Sequence, residues 1–134
     1  MLEDLSQKLR ITRSWRWMPG MLTLAGDRIK TVSEDGSVTL DRGYVSLDLS
    51  NSWCVMYPRL DMGDKPDPRD PATIGCMIEV LQRATGCVVS LLFNAAAQTW
   101  LLRFFSQQDV NQREVEGPTV GDVFLAAFES LETS

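Results

Sequence analysis

One short stretch near the amino terminus combines residue types that can hold a phosphate and stack on a planar ring. Three arginines are interleaved there with two tryptophans: Arg10, Arg13, Trp15, Arg16 and Trp17. Guanidinium groups bind phosphate in a bidentate fashion, and indole faces stack on bases. The cluster therefore predicts a site for a small ligand such as a nucleotide signal. The alternative is a strand whose tryptophans point inward while the arginine stems cover apolar surface at the rim.

Acidic side chains of the carboxyl-terminal part form a second candidate surface. Such a face could dock on a basic partner or mimic the phosphates of a nucleic acid. The alternative is a charged face kept for solubility. The residues concerned are Asp109, Glu114, Glu116, Asp122, Glu129 and Glu132.

An aspartate recurs at every third position between residues 61 and 70, namely Asp61, Asp64, Asp67 and Asp70. Carboxylate oxygens are the ligands that calcium and magnesium prefer. The segment lacks the glycine and glutamate positions of an EF-hand loop, and its two prolines keep it extended. We therefore expect a solvated loop without a metal, with Asp70 acting as a helix cap.

The composition argues against catalysis. The chain has no histidine, which removes the commonest general base and the histidine-dependent nucleophilic and metal sites. Its three cysteines, Cys54, Cys76 and Cys87, fit neither a zinc spacing nor a disulfide framework, and we expect them to be small buried apolar residues. No phosphate-binding glycine loop is present. We therefore predict no catalytic residues and no cofactor.

Length and charge limit the expected partners. A chain of 134 residues predicts one domain, and its net charge of −5 argues against a direct grip on duplex nucleic acid. No signal peptide or membrane-spanning run is recognisable in the sequence. We expect a protein of a reducing cytoplasm that does not associate with membranes.

The elements that would position these residues include three helices. A helix is predicted over residues 71–85, where apolar side chains recur with helical spacing. It begins after the capping Asp70 and ends at Gly86. A second amphipathic helix is predicted over residues 120–132, and a short one over residues 2–9.

Short strands with closely spaced turn signals dominate residues 1–60. Asp35-Gly36 between two alternating runs is a typical hairpin turn. We expect one antiparallel meander of four or five strands, followed later in the chain by a hairpin and a short strand. The predicted runs are 15–17, 21–24, 28–32, 37–40, 44–49, 53–57, 87–93, 99–105 and 113–115.

The order helix, strand, strand, polar link, helix in the carboxyl-terminal half carries a resemblance. The residues involved are Asp70-Pro-Ala-Thr-Ile-Gly-Cys-Met-Ile-Glu-Val-Leu, Cys87–Phe93, Thr99–Phe104 and Gly117-Pro-Thr-Val-Gly-Asp-Val-Phe-Leu-Ala-Ala-Phe-Glu-Ser-Leu. This half resembles small proteins of tailed phages and prophages, including the group called the phage ABA sandwich. Ala126–Leu131 matches the Ala-Ala-x-x-x-Leu-like end of that group's last helix, and Trp15–Met21 resembles the start of such proteins. The resemblance implies a two-helix layer on a small antiparallel sheet and no functional residues.

Together these features predict an α+β fold, with an antiparallel meander sheet and two main amphipathic helices packed on one face. We expect a single domain over 1–134: mainly short strands in 1–60, a loop in 61–70, and a helix–hairpin–helix half in 71–134. By the resemblance, the expected protein is a non-catalytic phage-type accessory protein in the cytoplasm of a bacterial host. Its expected function is to bind a host protein, for example as an anti-CRISPR-like inhibitor of host defence. One alternative is a nucleotide-binding or sequestering protein, which would oligomerise to enclose its pocket. A further alternative is an acidic nucleic-acid mimic.

Overall fold

The structure is a computed structural model, and it describes residues 2–106 and 113–132. Its architecture is α+β, as predicted, and its sheets are all antiparallel. In chain order the elements are α1 (Leu2–Ile11), β1 (Ile29–Val32), β2 (Val38–Leu40), β3 (Tyr44–Leu47), β4 (Trp53–Met56), α2 (Pro71–Thr85), β5 (Val88–Asn94), β6 (Thr99–Phe105), β7 (Arg113–Gly117) and α3 (Val120–Glu132).

Helix α2 has the predicted bounds because both of its ends are determined locally. The Asp70 carboxylate accepts a hydrogen bond from the backbone N–H of Thr73 at 3.0 Å, and Pro71 occupies the first turn, where no N–H is needed. At the other end Gly86 adopts a left-handed φ of 71°, and its N–H donates to the carbonyl of Gln82 at 2.9 Å. The prediction of this helix is confirmed.

Helix α3 also begins and ends as predicted. The Thr119 hydroxyl oxygen accepts from the backbone N–H of Asp122 at 3.1 Å and donates to the Asp122 carboxylate at 2.6 Å. Helix α1 packs closely along α3 at Gly121, where an added Cβ would lie 2.5 Å from Cδ2 of Leu5. The glycine therefore allows the two helices to approach.

The main sheet has the order β5–β6–β7, and helices α2 and α3 pack on its inner face. Cross-strand neighbours such as Val89 and Phe104 point toward the helices and are buried. The core is completed by apolar side chains from the helices and from the first half of the chain. Its fully buried members are Leu9, Met21, Met77, Leu81, Leu102, Val123, Phe124, Ala127 and Phe128.

The strands of the first half do not form one meander, which corrects the sequence prediction. They form two separate hairpins, β1–β2 and β3–β4. The β1–β2 hairpin turns at Asp35-Gly36 as predicted, with Gly36 at a φ of 90°. Residues 58–60 then occupy the free edge of β2, because Leu40 N–H donates to the carbonyl of Pro58 at 2.8 Å and Leu60 N–H donates to that of Val38 at 2.9 Å. The β3–β4 hairpin is therefore an excursion that leaves this sheet and returns to it.

Two other predicted strands are absent from the described structure. Residues 15–17 form an irregular segment, in which the Arg16 guanidinium donates to the carbonyl oxygens of Arg13 and Trp15. Residues 21–24 contribute only isolated bridges, one between Leu22 and Arg28 and one between Thr23 and Pro66. The strand signal in both places comes from apolar side chains that pack without a continuous ladder.

Candidate functional site

The predicted arginine–tryptophan cluster is only partly a surface. Trp15 is 7% exposed, and its ring packs edge-on against Trp17 at 5.4 Å and Phe128 at 6.1 Å between centroids. Within the described residues its indole N–H has no hydrogen-bond partner. Trp15 therefore belongs to the core.

Arg10 serves to hold two segments together. Its guanidinium donates to the backbone carbonyls of Met62 and Asp64, and it lies 5.7 Å from the centre of the Trp17 ring. These contacts tie the end of α1 to the loop that precedes α2. Arg10 and Trp17 also border a small cavity of about 250 Å³ together with Arg59.

Arg13 and Arg16 differ in how firmly they are held. The side chain of Arg13 is exposed, while its backbone N–H donates to the Glu132 carboxylate at 2.6 Å. Nη1 of Arg16 donates to the carbonyls of Arg13 at 3.1 Å and Trp15 at 2.8 Å, so the guanidinium has a defined position. The structure thus does not bring the five predicted residues into one site.

Arg16 and Trp17 instead share a cavity with a residue that sequence reasoning missed. The cavity measures about 450 Å³ and lies between the irregular segment and the end of α2. Its lining consists of Ser14, Arg16, Trp17, Met18, Val80, Arg83 and Ala84. Arg83 is far from the cluster in sequence, and nothing in its local pattern indicates this placement.

The predicted acidic residues lie on separate parts of the molecule. Glu114 pairs with Arg103 at 2.9 Å, and Glu116 accepts from the Thr99 hydroxyl at 2.5 Å; both occupy the sheet face opposite the helices. Asp122 caps α3, Glu129 is exposed on that helix, and Glu132 receives the N–H of Arg13. Asp109 lies outside the described residues.

The aspartates of residues 61–70 each have a local partner. Asp64 accepts from the backbone N–H of Asp61 at 2.8 Å, and Asp67 pairs with Arg69 at 3.0 Å. Burial acts to raise the pKa of Asp67, but hydrogen bonds from Arg69 outweigh burial and the pKa is lowered. Over residues 2–106 and 113–132, no group of three or more histidine, cysteine, aspartate or glutamate side chains is placed to hold a metal ion.

The three cysteines are free thiols that lie partly exposed, whereas the sequence predicted them to be buried. Cys76 and Cys87 lie at the margin of the core, and Cys54 lies on the β3–β4 hairpin. Burial, with the nearby charges of Glu79 and Asp70, raises the pKa of the Cys76 thiol. This thiol is therefore a weak nucleophile at neutral pH.

The sequence predicts both strands of the β3–β4 hairpin, called here the arm, but not that the hairpin stands apart from the other sheets. The cross-strand pairs Val45–Val55 and Leu47–Trp53 share one face, called here the arm face. Their residues are 64%, 57%, 50% and 71% exposed, and Leu49 at the turn is fully exposed. Among the described elements, β3 and β4 contact only each other. The alternation in residues 44–49 predicts a strand with one apolar side, but it does not predict that this side stays exposed.

The turn of the arm is joined by hydrogen bonds of its own. One carboxylate oxygen of Asp48 accepts from the backbone N–H of Ser52 at 2.9 Å and from the N–H and hydroxyl of Ser50 at 2.9 and 2.8 Å. These hydrogen bonds, that from Ser52 foremost, lower the pKa of Asp48.

A larger cavity of about 720 Å³ lies where α1 meets the start of α3. Its walls include Leu5, Ile74 and Trp100, and the charged side chains among them, Arg69 and Asp122, have opposite charges. Arg69 is paired with Asp67, and Asp122 is bonded to Thr119. The cavity therefore offers an apolar recess without converging polar groups.

Comparison of the chain with protein-family models, curated proteins and solved structures finds no match. In the described part of the chain, no helix combines the length and apolar character needed to cross a membrane. The arm and the cavities are therefore the features of this chain that bear on its function.

Proposed function

We propose that this protein is a non-catalytic binding protein whose arm docks on a partner protein. The observation that carries the proposal is the arm face, whose apolar side chains from β3 and β4 are open to solvent. Strands normally bury such a face against a core. In this chain the described helices and strands leave it uncovered.

The amount of exposed apolar surface supports a docking role. The arm face and Leu49 together expose on the order of 600 Å². The largest apolar patch on a typical monomer is roughly 300–600 Å² and is often functional. Trp53 contributes the largest side chain, and tryptophan is a frequent energetic anchor of protein interfaces.

The open edges of the arm favour a protein over a lipid surface. Within the described residues, the outer edges of β3 and β4 have no ladder partner. Another polypeptide can pair with the free N–H and carbonyl groups of such edges, whereas a hydrocarbon layer cannot. The net charge of −5 also disfavours an anionic membrane.

The resemblance of the carboxyl-terminal half to small phage and prophage proteins makes a host protein the proposed partner. The specific form of the proposal is inhibition of a host defence complex by occupation of one of its surfaces. This part is an analogy with the family, since the same fold can serve many functions. The lack of histidine supports a non-catalytic mode of action.

The test uses two variants that add the same charge at neighbouring positions on opposite faces of β3. Leu47→Glu places a carboxylate on the arm face, and Ser46→Glu places one on the other face. A candidate partner captured from host lysate is purified, and its dissociation constant is measured with each protein. We expect 1:1 binding by the wild type and by Ser46→Glu, and at least a tenfold loss for Leu47→Glu.

Equal binding by the two variants would overturn the proposal. So would a wild-type dimer in light scattering that Leu47→Glu converts to a monomer, because the arm would then be occupied by a second copy. Cosedimentation with lipid vesicles that requires Leu47 would assign the arm to a membrane instead. The inhibitory form is tested by measuring the partner's activity at a protein concentration that saturates it with the wild type. At that concentration we expect the activity to fall with Ser46→Glu and to persist with Leu47→Glu.

A further inference from the structure

We infer that the 450 Å³ cavity between residues 14–18 and the end of α2 is a nucleotide-binding site. Its size lies in the range of small-molecule sites, and its walls combine two guanidinium groups with an indole ring. This site is separate from the arm and does not depend on the proposed docking function.

Arg16 supplies a positioned cation on one wall. The carbonyls of Arg13 and Trp15 hold its Nη1, so its location is set before a ligand arrives. The described hydrogen bonds of Arg16 use only this nitrogen. Its remaining N–H groups are available to phosphate oxygens, and arginine binds these in a planar, bidentate manner.

Arg83 supplies the second cation from α2. It lies in the last turn of α2, and its Nη2 pairs with Glu79 one turn earlier at 2.5 Å. Because Glu79 balances only one of the two guanidinium charges, Arg16, Arg83 and Glu79 together carry a net positive charge. The side chain of Arg83 is 73% exposed, so it can reorient toward a ligand with little structural cost.

Trp17 gives the cavity an aromatic wall. Its ring is held by an edge contact with Trp15 and by the Arg10 guanidinium above it. A fixed aromatic side chain beside two arginines suits a ligand that carries both a phosphate and a planar base. Inorganic phosphate would use only the arginines, and a nucleoside would use only the ring.

The experiment titrates the full-length protein with AMP, adenosine and inorganic phosphate, and follows tryptophan fluorescence and binding heat. We expect saturable binding of AMP that is at least tenfold tighter than that of either fragment. Arg83→Gln removes an exposed guanidinium whose ion pair with Glu79 lies at the surface. Arg42→Gln is the matched control, because Arg42 is similarly exposed, pairs with Asp27 at 3.2 Å and does not line the cavity.

We expect Arg83→Gln to weaken AMP binding at least tenfold and Arg42→Gln to leave it unchanged. Absence of saturable AMP binding, or equal affinity in the two variants, would overturn the assignment. Phosphate binding as tight as AMP binding would also overturn it, because the site would then recognise oxyanions without a base. Leu47→Glu should bind AMP like the wild type, so failure of the docking proposal and failure of this one are distinguishable.

Discussion

The guanidinium of Arg28 donates two hydrogen bonds to the carboxylate of Asp70, at 3.0 and 3.2 Å. The same carboxylate caps α2 through the N–H and hydroxyl of Thr73. The Thr73 oxygen in turn accepts from the backbone N–H of Leu22 at 2.9 Å, and Arg28 also donates to the carbonyl of Gly20. This network joins the first half of the chain to the start of the main helix.

Replacement of Asp70 tests that junction. Asp70→Ala removes the cap and the ion pair, and we expect the free energy of unfolding to fall by about 1–2 kcal/mol, mainly through the cap. Because the Arg28 side chain is 42% exposed, water screens the ion pair, and the pair contributes little to this loss. Asp70→Asn retains a good capping side chain and should cost less. Urea denaturation compares the two variants, and an equal loss would assign the effect to the ion pair instead.

The same carboxylate predicts a pH dependence of stability. The hydrogen bonds from Arg28, followed by those from Thr73, lower the pKa of Asp70 in the folded protein. Its contribution to stability is therefore present above the usual aspartate pKa near 4 and is lost as the pH falls through the lower folded value. We expect urea midpoints that are similar at pH 7 and 5 and fall from pH 4 to 2. The fall should be shallower in Asp70→Asn, and parallel curves would contradict this assignment.

Two glycines of the α2 region should respond to alanine with opposite signs. Gly75 is an exposed helical residue with open space around it, so Gly75→Ala should raise the free energy of unfolding by about 0.5–1 kcal/mol. Gly86 has a φ of +71°, so Gly86→Ala should lower it by about 1 kcal/mol although no atom stands in the way. Thermal unfolding of both variants checks the prediction. A stabilising Gly86→Ala would contradict the left-handed end of α2.

Alanine should affect stability differently at two strand leucines, because one lies in the core and the other on the arm. Leu102 is fully buried, and Leu102→Ala should lower the free energy of unfolding by roughly 2–5 kcal/mol. Leu47 is half exposed on the arm face, and Leu47→Ala should change it by about 0.5 kcal/mol or less. Denaturant titrations at several protein concentrations provide the measurement. A large, concentration-dependent loss for Leu47→Ala would mean that a second copy covers the arm in solution.

The helices could be predicted from the sequence because their signals are local. Asp70, Pro71 and Gly86 act within one turn of the residues they cap, so the ends of α2 followed from neighbouring side chains alone. The hairpin at Asp35-Gly36 was predictable for the same reason, since its turn requires a residue that tolerates a positive φ.

The sheet organisation and the candidate sites depended on the tertiary structure. Alternation in residues 44–49 indicates that one side of the strand is apolar, but it does not say what covers that side. The pairing of residues 58–60 with β2 excludes the arm from the sheet, and no local pattern encodes that choice. The cavity that Arg16 and Arg83 both line likewise requires α2 to lie beside residues 14–18. The helices, one turn and the fold class follow from the sequence alone, because they depend on short-range periodicity and capping. Which apolar face stays open and which cations line one cavity depend on the folded chain, because these arrangements join residues distant in sequence.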